Sequence, residues 1–119
     1  MRMSNNLRID YIEFPAIDLT KTKAFYQQVF GWKFTDYGPD YTSFEDGRLT
    51  GGFRSDDESP KPTRDGVLVV IYADDLAATQ KKVSNAGGTI VKPIFEFPGG
   101  RRFHFTDPSG NELAVWSDK

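Results

Sequence analysis

The chain has no cysteine, a single histidine and no long apolar run. The lack of cysteine excludes disulfides, thiolate metal ligands and cysteine nucleophiles, and it fits a reducing compartment. No stretch approaches the ~20 apolar residues that a membrane-spanning helix needs. The segment Met1–Asn6 also lacks the apolar run of a signal peptide. We therefore expect a cytoplasmic protein that has no membrane partner.

An excess of charge of one sign is lacking as well. The 119 residues include 15 basic and 17 acidic side chains, which gives a net charge of -2. The two signs are interspersed, and the basic stripe that nucleic-acid binding leaves in a sequence is absent. We expect no nucleic-acid partner. The length is that of one domain with a modest core.

An internal repeat is the most informative feature that the chain does contain. Asp18-Leu19 follows an apolar segment and precedes an amphipathic stretch that ends at Gly31, and Asp75-Leu76 stands in the same setting before Gly88. An aspartate before an amphipathic stretch predicts a helix N-cap, and the glycine predicts the end of that helix. A supersecondary unit of this length cannot bury its apolar face alone, so we expect the two halves to pair.

Hydrophobic periodicity predicts the order βαβββ in each half. Strands are predicted over 8–16, 32–34, 41–45, 49–53, 67–72, 89–91, 101–106 and 112–116, and helices over 19–30 and about 75–86. The continuous apolar run 67–72 predicts a strand that is buried on both faces. Residues 92–100, which carry glycine and proline, predict a loop. We expect a single α+β domain: module one at about 8–54, a linker at about 55–66 and module two at about 67–117. The two modules in tandem should form a curved mixed sheet around a cleft, with the helices outside.

This order resembles the vicinal-oxygen-chelate superfamily, that is, the glyoxalase, bleomycin-resistance and extradiol-dioxygenase fold. The resemblance covers residues 8–117 and is carried by Phe14-Pro-Ala-Ile-Asp18-Leu19, Ala24-Phe25-Tyr26, Val29-Phe30-Gly31-Trp32, Asp74-Asp75-Leu76, Ala86-Gly87-Gly88 and Phe105-Thr-Asp107-Pro-Ser-Gly110-Asn111. It implies a homodimer, and in the enzymes a divalent metal held by three or four His, Glu or Gln side chains. Those ligand positions fall here on Tyr11, Leu68, Ala114 and about Gly51, none of which is a typical ligand. We therefore expect neither a metal site nor a cofactor.

Strand alternation supplies a candidate cleft. If Ile12 and Phe14 face the first helix, then Tyr11 and Glu13 face the cleft. Carried through both modules, together with the two phenylalanines of the predicted loop, this reasoning gives a substrate-binding set of Tyr11, Tyr41, Phe53, Leu68, Val70, Tyr72, Phe95, Phe97, Arg102, Ala114 and Trp116. Glu13 and His104 are the catalytic candidates. An apolar, aromatic cleft with few polar groups is typical of a small-molecule site.

Each candidate also has a structural interpretation. Glu13 is either an ion-pair partner for an arginine such as Arg102 or, enclosed by apolar groups, a general base. His104 is either a hydrogen-bonded structural histidine or a catalytic one. The aromatic side chains belong either to the core or to the ligand wall, and Phe95 and Phe97 either form a lid or cover a dimer seam.

Three functions remain open. The leading hypothesis is a metal-free glyoxalase- and bleomycin-resistance-like protein that binds a small, partly aromatic or apolar molecule between its modules. The second is a lyase, isomerase or related enzyme acting on a small carbonyl compound, either metal-free through Glu13 and His104 or assisted by Mg or Mn. The third is a non-catalytic accessory subunit that uses the fold only for association.

Overall fold

The computed structural model describes residues 6–55 and 61–119, so residues 56–60 of the predicted linker lie outside the described chain. The elements in chain order are β1 (Tyr11–Pro15), α1 (Leu19–Phe30), β2 (Lys33–Asp36), β3 (Tyr41–Glu45), β4 (Thr50–Arg54), β5 (Val69–Tyr72), α2 (Leu76–Asn85), β6 (Thr89–Phe97), β7 (Gly100–Thr106) and β8 (Glu112–Ser117). This is βαβββ twice, which confirms the predicted α+β class and the tandem modules. Neither of the two helices in the described residues has the length and apolar composition of a membrane-spanning segment.

The strands form two four-stranded mixed sheets. Sheet A has the order β1-β4-β3-β2, and sheet B has the order β5-β8-β7-β6. In each sheet the first strand pairs in parallel with the last strand of its module, and the other pairings are antiparallel. The equivalent strands β1 and β5 therefore each stand at the edge of their own sheet.

Both helices begin as the sequence predicts. The Asp18 carboxylate accepts from the Lys21 amide, and the Asp75 carboxylate accepts from the Ala78 amide, both at 3.0 Å. Gly31 ends α1 in the left-handed conformation, with φ of 71°. These bonds satisfy free amides and carbonyls at the helix ends, which is why the repeat fixes both helices.

One aromatic core joins the two modules through α1. The Phe25 ring lies 5.8 Å from Phe105 of sheet B, while the Tyr26 ring lies 5.1 Å from Phe53 of sheet A. All four side chains are at most 1% exposed. We call the core-facing side of each sheet its inner face, and the opposite side its outer face. The outer faces point away from the shared core.

The turn Asp107–Asn111 ties the modules together by hydrogen bonds. The buried Asp107 carboxylate accepts from the Tyr26 hydroxyl at 2.9 Å, from the Ser109 and Asn111 amides, and from the Asn111 side chain. Asn111 also donates to the Pro15 carbonyl at 2.9 Å. Burial raises the pKa of the Asp107 carboxyl, and the hydrogen bonds from Asn111, Tyr26 and Ser109 oppose that rise. The turn therefore links β1, α1 and β8 inside the protein.

Two predictions about module two are wrong. Residues 92–97 belong to β6 and not to a loop, because Phe95 and Phe97 pair with β7. Pro93 is tolerated there because β6 is an edge strand whose register shifts beside it. The apolar run 67–72 is not buried on both faces: Val67 precedes β5 and is 87% exposed, and Val70 lies on the outer face at 42%. Helices cover only the inner face of this sheet.

Candidate functional site

A cleft of about 790 Å³ opens between the modules, where the edge strands β1 and β5 face each other. Its lining is mostly apolar and aromatic: Ile12, Phe14, Trp32, Phe44, Leu49, Val69, Val70, Ile71, Tyr72 and Trp116, with Asp46 and Arg48 from the β3–β4 hairpin. Side chains from both faces of β5 line the cleft because β5 is an edge strand of sheet B. We call this space the inter-module cleft.

The structure brings three of the predicted ligand residues into this cleft: Val70, Tyr72 and Trp116. The Tyr72 and Trp116 rings are 5.2 Å apart in an edge-to-face arrangement, and the Tyr72 hydroxyl donates to Asp118 at 2.6 Å. These contacts hold two aromatic side chains at one wall. Sequence reasoning missed Ile12 and Phe14 at the opposite wall, since it assigned them wholly to the helix side.

The placement of Phe53 in the cleft is wrong. Its side chain is fully buried, and its ring stacks 5.3 Å from Phe14 on the inner face of sheet A. The parallel register pairs Phe14 with Phe53 and Glu13 with Gly52, so it is Gly52 that shares the face of Glu13. The mapping between modules had placed β4 out of phase by one residue, and a one-residue shift reverses the face of every side chain.

Tyr11, Glu13 and Tyr41 lie on the outer face of sheet A and not in the lining of the inter-module cleft. The Tyr11 and Tyr41 hydroxyls are hydrogen-bonded at 2.5 Å above Gly52. Desolvation raises the pKa of Tyr41, and hydrogen bonds to Tyr11 and Glu13 raise it further. The shared core turns this face outward, which is why alternation alone misplaced these residues relative to the cleft. A ligand role for them stays a prediction.

Glu13 forms an ion pair with an arginine, as one of its two interpretations expects, but the arginine is Arg54, at 3.3 Å, and not Arg102. Arg54 lies on the adjacent strand β4, whereas Arg102 lies in sheet B. The Glu13 side chain is 42% exposed. The apolar enclosure that the general-base hypothesis required is therefore not present around this carboxylate.

The outer face of sheet B carries a second group of predicted residues. The guanidinium of Arg102 lies 5.5 Å from the centres of both the Phe95 and Phe97 rings, and Phe97 lies 6.3 Å from Trp116. Ala114 is fully buried in register between Val70 and His104. We call Phe95, Phe97, Arg102, His104 and Trp116 the outer aromatic cluster.

His104 is held by a carboxylate that sequence reasoning missed. Its Nδ1 lies 3.0 Å from Glu112 Oε2, and Glu112 also faces Arg64 at 3.8 Å. The three side chains, together with Leu68, line a small pocket of about 170 Å³ beside the linker. The signal was available, because an antiparallel β7–β8 hairpin puts His104 and Glu112 on one face.

A family model settles where this architecture belongs. The model described as "Glyoxalase/Bleomycin resistance protein/Dioxygenase superfamily" matches residues 8–115. The chain belongs to this superfamily. The predicted superfamily membership is confirmed, and the match spans both modules.

Other proteins of known structure share this fold. A glyoxalase/bleomycin resistance protein/dioxygenase family enzyme from Burkholderia phytofirmans PsJN superposes with a TM-score of 0.80 at 19% identity, covering 93% of this chain and 100% of that one. The fosfomycin resistance protein FosX from Listeria monocytogenes superposes with a TM-score of 0.78 at 17% identity, covering 98% and 94%. At these identities the likeness shows the fold alone.

One curated relative is more similar in sequence. The anthracycline biosynthesis protein DnrV from Streptomyces peucetius is 33% identical over 117 residues, which cover 83% of this chain and 42% of DnrV. The chain therefore spans less than half the length of that relative.

The donor atoms present do not fit the metal site of the superfamily's enzymes. Gly51 has no side chain, Ala114 is buried, and the Tyr11 hydroxyl is bonded to another tyrosine. Across residues 6–55 and 61–119, no three His, Cys, Asp or Glu side chains come together to form a possible metal site. A zinc or iron site needs about three protein ligands, usually with nitrogen or sulfur donors among them.

Proposed function

We propose that this chain binds a small, partly aromatic or apolar molecule in the inter-module cleft without a bound metal. The observation that carries the proposal is the cleft itself, with about 790 Å³ between Ile12 and Phe14 on one wall and Tyr72 and Trp116 on the other. Ligand sites of this size, lined by apolar and aromatic side chains with a few polar groups, are typical of small-molecule binding.

The arrangement of the aromatic wall favours a planar ligand. Trp116 is half-buried and contacts the Tyr72 ring edge-to-face, so its side chain is already held in one position. A flat ring can therefore stack on the indole without the entropic cost of immobilising the Trp116 side chain. Asp46 and Arg48 place opposite charges on the hairpin at the same cleft. A partly polar aromatic molecule would stack on Trp116 and place its polar groups near Asp46 and Arg48. The relative DnrV is named for anthracycline biosynthesis.

The proposal includes a homodimer that acts in the cytoplasm. In the described chain, β1 and β5 each have a hydrogen-bonded neighbour on one side only. Exposed strand edges invite pairing with another chain. The outer faces beside them carry apolar surface, with Tyr11 at 42%, Val70 at 42% and Tyr72 at 43% exposed. A second copy would cover these edges and give the outer faces an opposing wall.

The second candidate is an enzyme acting on a small carbonyl compound. The main support for this candidate is a general base at Glu13, and the exposed ion pair of Glu13 with Arg54 removes that support. The remaining support is His104, whose Nδ1 lies 3.0 Å from the Glu112 carboxylate. The accessory-subunit hypothesis predicts that no small molecule binds.

Isothermal titration with 1-naphthol, a planar aromatic alcohol, tests the proposal. Trp116→Ala should weaken binding by about tenfold, because losing one good stacking partner is worth about 1.4 kcal/mol. Val67→Ala, which changes an exposed residue outside the cleft, should leave the dissociation constant unchanged. EDTA should not change the dissociation constant of the unaltered protein.

Two results would contradict the proposal. Failure of the unaltered protein to bind 1-naphthol would favour the accessory-subunit hypothesis. Equal binding by the Trp116→Ala and unaltered proteins would place the ligand elsewhere.

A further inference from the structure

Two buried nitrogen atoms on the outer face of sheet B have no hydrogen-bond partner among the described residues. They are Arg102 Nε and His104 Nε2. The two residues stand two positions apart on β7, so their side chains share one face. The Phe95 ring covers both, at 5.5 Å from the Arg102 guanidinium and 5.8 Å from the His104 ring. Folded proteins pair nearly all buried polar atoms, so two neighbouring exceptions call for a partner from outside the chain.

The contacts of His104 decide which of its ring nitrogens is a hydrogen-bond acceptor. Glu112 Oε2 lies 3.0 Å from Nδ1, and the His104 side chain is only 5% exposed. A carboxylate at Nδ1 favours the tautomer in which Nδ1 carries the hydrogen, and Nε2 is then the acceptor. The other charged residues placed near this ring are Arg102 on its own strand, Lys92 in register on β6, and Arg64 beside Glu112.

The sheet register connects this pair to the inter-module cleft. Val70, which lines the cleft, is level with Ala114 on β8, and Ala114 is level with His104 on β7. Two strand spacings separate Val70 from His104, roughly 10 Å. In the next row, Trp116 of the cleft wall stands opposite Arg102. A planar ligand that rests on Trp116 and extends outward would therefore reach both unpartnered nitrogens.

We propose that His104 accepts the proton of an acidic hydroxyl on an aromatic ligand and that Arg102 stabilises the resulting oxyanion. This inference rests on the proposed binding function and names its ligand class as phenols and similar acidic aromatic alcohols. The ligand's O–H bond breaks, an N–H bond forms at His104 Nε2, and the imidazolium remains paired with Glu112. Phe95 must move aside, and it stands next to a register shift in an edge strand, where a backbone irregularity re-aims side chains.

The test uses 4-nitrophenol, whose phenolate is yellow and whose neutral form is colourless. At a pH equal to the dye's own pKa, the unaltered protein should hold the bound dye mostly as phenolate. His104→Gln should lower the ratio of phenolate to phenol by about tenfold while the dye still binds. Arg102→Gln should also lower it. Arg101→Gln is the matched control, since Arg101 contacts the Lys119 carbonyl and carries neither unpartnered nitrogen.

A second measurement reads His104 directly. Because the chain has one histidine, a single imidazole appears in ¹⁵N NMR spectra. The unaltered protein should show the tautomer with hydrogen on Nδ1, and Glu112→Gln should shift the population away from it. Hydrogen on Nε2 in the unaltered protein would overturn the inference even if no variant folded well.

The outcomes separate the two proposals. Dye bound with the same phenolate fraction by the unaltered and His104→Gln proteins would overturn the role of His104 and leave the binding function intact. No dye binding by the unaltered protein would overturn the ligand class named here, and 1-naphthol titration would then decide whether the binding function fails as well.

Discussion

Replacing Tyr26 by phenylalanine should destabilise the protein by about 2 kcal/mol at neutral pH. The change removes a fully buried hydroxyl that donates to the Asp107 carboxylate at 2.9 Å, while the ring keeps its aromatic contacts. A hydrogen bond to a charged group contributes about 1.5–3 kcal/mol. The Asp107 carboxylate keeps its three donors from Ser109 and Asn111, so the loss should stay within that range. For a domain of this size, the melting temperature should fall by about 6–12 °C.

The pH dependence of the same variant provides an independent check. Burial raises the pKa of Tyr26 well above its ordinary value of 10.0, and the neighbouring charge of Asp107 raises it further. Above pH 10 the unfolded chain loses a proton that the folded chain keeps, so the free energy of unfolding falls as the pH rises. The variant escapes this loss, because its phenylalanine has no hydroxyl to ionise. The stability deficit of Tyr26→Phe should therefore shrink above pH 10.

Urea denaturation followed by circular dichroism, at neutral pH and above pH 10, measures both effects. Tyr37→Phe is the matched control, because Tyr37 is 65% exposed and should change the free energy of unfolding by less than about 0.5 kcal/mol. Equal effects of the two substitutions, or a deficit that grows above pH 10, would refute the role assigned to the Asp107 turn.

Three further outcomes follow from the fold. Phe53→Ala should lower the free energy of unfolding by about 3–5 kcal/mol because Phe53 is buried. Val70→Ala should lower it by less than about 1.5 kcal/mol because Val70 is half-exposed. Similar urea midpoints for the two variants would contradict the inner-face placement of Phe53. Gly51→Ala should cost about 3 kcal/mol because its Cβ would clash with the Ile12 carbonyl oxygen, which belongs to the backbone. Gly52→Ala should cost less because its Cβ meets the ends of two tyrosine side chains. The reverse order in thermal melts would refute this. Light scattering should give twice the chain mass of 13.4 kDa, and a mass of one chain at high concentration would refute the dimer.

The local elements were predictable because their causes are local. Asp18 and Asp75 cap helices through bonds to amides three residues away, and Gly31 ends a helix through its own backbone angle. The glycine and proline residues of 92–100 predict a loop, because the pairing of residues 92–97 with β7 cannot be read from the sequence. That segment became a strand through contact with β7, a tertiary effect that overrides local preference.

The candidate site was harder to predict, since it depends on how the modules pack. Alternation correctly separated the two faces of β1, but which face meets the cleft was decided by α1, whose Phe25 packs against Phe105 of the other module. Phe53 was misplaced by a one-residue error in register. Glu112 was overlooked because only the hairpin geometry brings it to His104.

Amide chemical-shift mapping with 1-naphthol shows whether the inter-module cleft is the ligand-binding site. Titration of ¹⁵N-labelled protein reports where along the chain the ligand binds. If the inter-module cleft is the binding site, the largest shifts should fall on Val69–Tyr72 and Trp116 of module two and on Ile12 and Phe14 of module one. Shifts scattered over the surface, or confined to residues outside this cleft, would exclude the cleft as the binding site.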